Sequence, residues 1–334
     1  MSRNAEIEKK IKDLVSQMTL DEKIGMIHGD GLFRTKGVER LGIPEVTMSD
    51  GPMGVRNEFE NAHWIAVGNN DDYVTYLPSN SAIASTWNRE IARESGEVLG
   101  EEARGRGKDV ILAPGINIKR SPLCGRNFEY MSEDPYLTGE LAVPLIQGIQ
   151  TKDTAAVAAG GLDIEMSVTD NFDEYFMAEP LKKAVESGEI PESLIDEKVQ
   201  NIIRMLFRLH KMGEGERNPG GYNTQEHREA ALGAARESIV LLKNEDKKLP
   251  LSQKATKKVL VIGDNGDRIY SNGGGSAEIK ALYEISPLMG IKKLLGGNAQ
   301  VVYVKGYFAD DLEKVDSDVN WQAERLLQKF FLEG

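Results

Sequence analysis

The stretch from Asn88 to Ala113 constrains the fold most. Residues 88–104 are charged but set Ile91, Val98 and Ala103 at helical spacing, so they predict a helix. The run Val110-Ile-Leu-Ala113 then predicts a strand buried on both faces, since no polar residue interrupts it. A loop rich in Pro and Gly follows, carrying Asn117, Lys119, Arg120 and Arg126. Helix, buried strand and polar loop make up the rhythm of a parallel α/β fold, in which loops at the carboxyl ends of the strands carry the site.

Similar patterns extend in both directions. Ile7, Ile11, Leu14, Val15 and Met18 predict an amphipathic helix over 5–18, and Thr19-Leu-Asp-Glu22 is a capping box for a second helix reaching Ile27. Residues 153–163 read as a small-residue helix ending at glycine. Pro191 opens a longer helix with Leu194, Ile195, Val199, Ile202, Ile203 and Leu206 on one stripe. Residues 211–221 have no apolar period and four glycines, which predicts a linker. A helix over 226–243, strands at 258–262 and 300–304, and a helix after Pro287 then predict a second α/β layer. The expected division is 1–210, a linker at 211–225, and 226–334.

A chain of 334 residues exceeds the usual single core, consistent with two domains. Its formal net charge of −12 argues against nucleic acid or an anionic membrane as partner and favours a neutral small molecule. The single cysteine, Cys124, excludes an internal disulfide and reads as a packed thiol. His28, His63, His210 and His227 stand apart without metal-ligand spacing, so no metal or cofactor is expected. The first residues lack a signal peptide's apolar core, and no apolar run approaches about 18 residues; the expected compartment is the cytoplasm.

Three segments point to sugar chemistry: Ser49-Asp-Gly-Pro-Met-Gly-Val-Arg56, Leu112-Ala-Pro-Gly-Ile-Asn-Ile118 and Gly125-Arg-Asn-Phe-Glu-Tyr-Met-Ser-Glu-Asp-Pro135. A carboxylate such as Asp50 can accept hydrogen bonds from two vicinal hydroxyls of a pyranose, while Arg56 and Arg126 donate charge-assisted bonds to their oxygens. A competing reading treats Val259-Leu-Val-Ile-Gly263 and the later triple glycine as a nucleotide phosphate cradle, but the spacing is not Gly-x-Gly-x-x-Gly.

Those segments resemble glycoside hydrolase family 3, of the β-glucosidase type. The resemblance extends to Met18-Thr-Leu-Asp-Glu-Lys-Ile24, Pro78-Ser-Asn-Ser-Ala-Ile-Ala-Ser-Thr-Trp-Asn88, Gly161-Leu-Asp-Ile-Glu-Met166, Ser238-Ile-Val-Leu-Leu-Lys-Asn244 and Ser271-Asn-Gly-Gly-Gly-Ser-Ala277. It implies a TIM-like (β/α) barrel followed by an α/β sandwich, with a site in the cleft between them. By the same resemblance Asp50, Arg56 and Arg126 grip the terminal glucosyl unit of a β-linked glucoside or related oligosaccharide. Ser276 reaches across from the second domain. The family's chemistry is retaining, with a nucleophilic carboxylate and an acid/base carboxylate about 5–5.5 Å apart.

The chain also departs from that pattern. The family's nucleophile lies in Ser-Asp-Trp, and this sequence has none; its Ser-Asp pairs continue as Ser49-Asp-Gly51 and Ser317-Asp-Val319. The Lys-His-Phe segment is missing too. Text resembling the third barrel unit passes at 152/153 into text resembling the helix after the nucleophile strand. An eight-fold barrel commonly needs about 250 residues, so an incomplete barrel followed by the start of a sandwich is expected. The last residues, Trp321 to Gly334, stop before the region where the family places its acid/base glutamate, so neither catalytic carboxylate has a matching position. As substitutes, Asp163 and Glu165 would share a strand face, and Glu129 and Glu133 a helix face if that segment were helical. The expected protein is a β-glucosidase-type hydrolase by descent that is catalytically defective, or a non-catalytic sugar-binding remnant.

Overall fold

A computed structural model describes residues 3–68, 71–157, 163–166, 171–269 and 279–305. Helix α1 (Arg3–Val15) buries Ile11 and Val15, and ends three residues earlier than the spacing predicts, in a turn where the Met18 amide bonds to Val15. The capping box forms as predicted: Thr19 Oγ1 accepts from the Glu22 amide at 3.3 Å, and the Glu22 carboxylate accepts from the Thr19 amide at 2.8 Å. The Arg40 guanidinium, then the Thr19 amide, hold the Glu22 carboxyl down at about 2. This box opens α2 (Leu20–Ile27), which leads into a short hairpin of β1 (Gly29–Gly31) and β2 (Arg34–Thr35).

The parallel sheet begins with β3 (Met48–Asp50). After α3 (Asn80–Thr86) and α4 (Arg89–Gly105), β4 (Val110–Leu112) pairs with it, Met48 opposite Val110 and Asp50 opposite Leu112. The amphipathic stripe of α4 buries Ala92, Val98, Leu99 and Ala103 against α5 (Pro135–Gln150). One core lies on this side, around Ile83, Leu99, Ile111, Leu141 and Ile149. The other face of the sheet carries a second core, where Met48 and Val110 meet Ile11, Ile27 and the stripe of α7 (Glu192–Arg208). Ile195, Val199, Ile202, Ile203 and Leu206 are buried as the period predicts, whereas Leu194 turns outward and is half exposed.

The expected helix over 153–163 does not form in its described part. Thr154 is followed by a strand, β5 (Ala155–Ala156), parallel to β4; residues 158–162 lie outside the described residues. The reason is the edge of β4, whose carbonyls need donors: the Ala155 amide bonds to Asp109 at 2.8 Å and the Val157 amide to Ile111 at 3.1 Å. Residues 163–166 return beside α2, Glu165 bridging His28 in parallel fashion. Among the described residues the parallel sheet is β3-β4-β5, far short of the eight strands of a closed barrel. The fold is thus mixed α/β with an incomplete TIM-like barrel.

After α6 (Glu179–Glu186) and α7, residues 211–225 run back under the sheet and are fastened there. Asp109, at the foot of β4 and fully buried, takes Lys211 Nζ at 2.5 Å, an Arg217 guanidinium nitrogen at 2.7 Å, and the amide and hydroxyl of Thr47 at 2.8 and 2.9 Å. Burial alone would push its carboxyl up; Lys211, Thr47 and Arg217 together outweigh burial and hold it low.

Helix α8 (Gln225–Glu237) then packs against α3 and α4. It ends six residues before the predicted 243, because Ile239, Val240, Leu241 and Leu242 find no helical face to bury and stand exposed. A βαβ unit follows, β6 (Lys258–Ile262), α9 (Pro287–Leu295) and β7 (Gln300–Val304), with the two strands parallel and in register over all their residues.

Breaking a buried charge cluster by removing one member destabilises by about 3–5 kcal/mol. Asp109→Ala is therefore expected to lower the free energy of unfolding by about 3 kcal/mol in urea titrations. Because the folded carboxyl is depressed, its contribution is full above the ordinary carboxylate value near 3.9 and fades as pH falls below it, so the parent and variant curves converge in acid. Identical urea midpoints at pH 7 would contradict the assignment.

Candidate functional site

Register places Asp50 at the carboxyl end of β3, where a parallel sheet opens to ligand. The chain then turns through Gly51-Pro-Met-Gly54. Gly51 has φ 150°, and a Cβ there would lie 1.9 Å from the Gly54 carbonyl oxygen, so only glycine lets the loop fold back on itself. The fold-back brings Arg56 home: its amide bonds to the Asp50 carbonyl at 3.1 Å, and its guanidinium donates to Asp50 Oδ2 at 2.8 Å.

Arg56 is itself buried, with 5% exposure, and two rings hold it. Its guanidinium carbon lies 4.5 Å from the centroid of Phe59 and 4.9 Å from that of Trp64. Trp64 in turn meets the edges of Phe33 and Phe59. This aromatic collar was missed in the sequence, although three aromatic or cationic side chains within nine residues, Arg56, Phe59 and Trp64, are the local signal for it.

Arg126 approaches from the loop after β4. It precedes a single 3₁₀ turn (Asn127–Glu129), pairs with the buried Glu129 carboxylate, and keeps most of its own side chain exposed. Burial pushes the Asp50 carboxyl up; the Arg56 charge and hydrogen bond pull it back, Glu129 pushes it up again and Arg126 pulls it down. The net direction is upward. The four side chains thus share one electrostatic neighbourhood, which unites Asp50, Arg56 and Arg126 and adds Glu129.

The same loop is riveted to α3. Asn80 Nδ2 donates to the Glu129 carbonyl at 2.8 Å, Ser81 Oγ to the Tyr130 carbonyl at 3.0 Å, and Asn117 Nδ2 to the Tyr130 hydroxyl at 3.0 Å. Lys119 Nζ donates to Ser81 Oγ at 2.5 Å and to the Met131 carbonyl at 3.3 Å, and burial lowers its pKa, so it braces the loop. Arg120 is exposed. Ser276 lies outside the described residues.

Several expectations need correction. Cys124 is exposed, because it sits in the turn preceding Arg126 where no apolar neighbours close over it. Glu129 and Glu133 do not share a helix face: the backbone is extended by Tyr130, since Gly115 bridges that residue in parallel fashion. Asp163 and Glu165 serve the scaffold, Asp163 accepting from Asn201 at 3.3 Å and Glu165 from the Met177 amide at 2.6 Å.

Comparison with known proteins gives the family. Residues 38–160 match the glycosyl hydrolase family 3 N-terminal domain, and residues 239–325 match the C-terminal domain of the same family. The chain belongs to glycosyl hydrolase family 3. A β-glucosidase of Bacteroides ovatus is 33% identical over 407 residues, covering 90% of this chain and 54% of the relative. Thermostable β-glucosidase B of Acetivibrio thermocellus is 31% identical, over 94% of this chain and 52% of the relative. Among solved structures, β-glucosidase 3B of Thermotoga neapolitana in complex with α-D-glucose superposes with a TM-score of 0.74 at 27% identity, over 88% of this chain and 55% of that one.

The family 3 chain therefore spans about half the length of the curated relatives it matches. Its alignment to the Bacteroides enzyme is longer than the whole 334-residue chain, so that relative carries residues with no counterpart here.

Removing the Arg56 charge should move Asp50 further in the direction burial already takes it. In Arg56→Met, the Asp50 carboxyl followed by carbon-13 NMR is expected to titrate at higher pH than in the parent. A titration at the parent's pH or lower would contradict the pairing.

Proposed function

We propose that this chain keeps the family's grip on the terminal glucosyl unit of a β-linked glucoside or related oligosaccharide but does not hydrolyse it. By descent it is a retaining β-glucosidase-type hydrolase. The observation that carries the reading is the Asp50–Arg56 pair at the carboxyl end of the sheet, with the exposed side chain of Arg126 in the same field. Arg56 takes Oδ2 and fixes the carboxylate plane, an arrangement suited to accepting hydrogen bonds from vicinal hydroxyls. The Thermotoga enzyme, captured with glucose, supports a glucosyl ligand.

The chemistry of retention supports the inactive reading. A retaining mechanism needs a nucleophilic carboxylate and an acid/base carboxylate about 5–5.5 Å apart on either side of the glycosidic bond. The sequence contains no Ser-Asp-Trp nucleophile motif. Glu129 is ion-paired with Arg126, and elsewhere Asp163 and Glu165 accept hydrogen bonds from Asn201 and the Met177 amide.

Calorimetric titration with glucose is expected to show binding in the millimolar range, about −4 kcal/mol, that disappears in Asp50→Ala. Nitrophenyl β-glucoside should release nitrophenol no faster than a blank. Turnover well above the blank overturns the inactive reading, and heats indistinguishable between parent and Asp50→Ala overturn the binding reading.

A further inference from the structure

The loop bearing Asp50 is braced on one side by a strap, residues 72–77, that no sequence motif marks. The Leu77 amide of the strap bonds to the Met53 carbonyl at 2.8 Å. A Cβ on Gly54 would lie 2.9 Å from the Thr75 carbonyl oxygen and 3.1 Å from Ile279 Cγ2. The Asp50 loop, the strap and residue 279 therefore press together with no room for a side chain.

The strap's far edge receives the second domain. Val74 bridges Ala281 in parallel fashion and donates its amide to the Lys280 carbonyl at 3.1 Å. Ile279 is buried in the core that holds Val55, Val74 and Leu77. Lys280 Nζ lies 2.6 Å from Asp72 Oδ1 and 4.6 Å from the centroid of the Tyr73 ring. Asp72 is 4% exposed and the Lys280 side chain 29% exposed, so the pair is anchored on its buried carboxylate and is directional.

The strap is anchored from below as well. Glu102, 1% exposed, accepts the Thr75 amide at 2.9 Å, the Asn223 amide at 2.7 Å and His227 Nδ1 at 2.9 Å. The strap is thus fixed to α4 and α8 independently of Lys280. It offers residues 279–281 a rigid edge, and Asp72 sets the register in which they dock.

We propose that Asp72 and Lys280 are positioning residues that lock the second-domain segment 279–281 against the Asp50 loop and thereby set the sugar affinity of the site without touching the sugar. This rests on the sugar-binding reading above. An isolated aspartate at position 72 would be a buried charge without its counterion, which explains a lysine at 280 better than surface solubility does.

The test compares Lys280→Met, Lys280→Arg and Asp72→Asn in the full chain by glucose calorimetry and by hydrogen exchange at the Val74 amide. Lys280→Met is expected to weaken glucose binding about tenfold and to speed Val74 exchange, with Asp72→Asn behaving alike and Lys280→Arg restoring both. Asp50→Ala should abolish glucose binding and leave Val74 exchange at the parent rate. If the parent binds glucose and Lys280→Met leaves affinity and exchange unchanged, or Lys280→Arg is no better than Lys280→Met, the lock is wrong while the sugar reading stands. A parent that binds no glucose removes the sugar reading and the affinity role with it; Val74 exchange then decides the docking role alone.

Discussion

The buried carboxylate of Asp109 is the contact on which the rest of the barrel fragment depends. It sits at the foot of the central strand β4, bonds Thr47 at the foot of β3, and draws in Lys211 and Arg217 from the segment that leaves the barrel. A three-stranded parallel sheet is short of partners by nature, because its edges carry unpaired backbone groups and both faces need cover. Asp109 fixes the relative height of β3 and β4 at one end, and the ladder carries that register to the other. There Asp50 stands opposite Leu112, beside the loop that brings in Arg126 and Glu129.

The functional end is built from short-range devices laid on that register. Gly51 lets the chain reverse within a few residues, so Arg56 meets the same Asp50 whose carbonyl its amide bonds. The guanidinium lies over the rings of Phe59 and Trp64 while it donates to the carboxylate. Burial would otherwise favour a neutral Asp50, and the two arginines work against it. A site organised this way suits hydrogen bonding to hydroxyls.

Elements whose formation is decided locally were legible in the sequence. The capping box at Thr19, the stripe of α7 and the apolar run of β4 follow from residues a few positions apart. Ala155 and Ala156 were misread because alanine favours helix intrinsically, whereas their strand state is imposed by the open edge of β4. The overrun of α8 has the same origin: Ile239 to Leu242 continue an apolar run, and only the lack of a surface to receive them ends the helix. Asp50 and Arg56 were readable as a pair because they lie six residues apart. Asp109, Asp72 and Glu102 were not, since their partners lie between 27 and 208 residues away and no pattern links them.

Retention of a glucosyl subsite by the barrel fragment is the proposal on which the rest turns. A crystal structure of the chain soaked with glucose tests it most directly. The account predicts one sugar at the carboxyl end of β3, with two adjacent hydroxyls on the Asp50 carboxylate and an oxygen within reach of Arg126. Density for glucose elsewhere on the surface, or none at a concentration that fills the site of an intact family 3 enzyme, would contradict it.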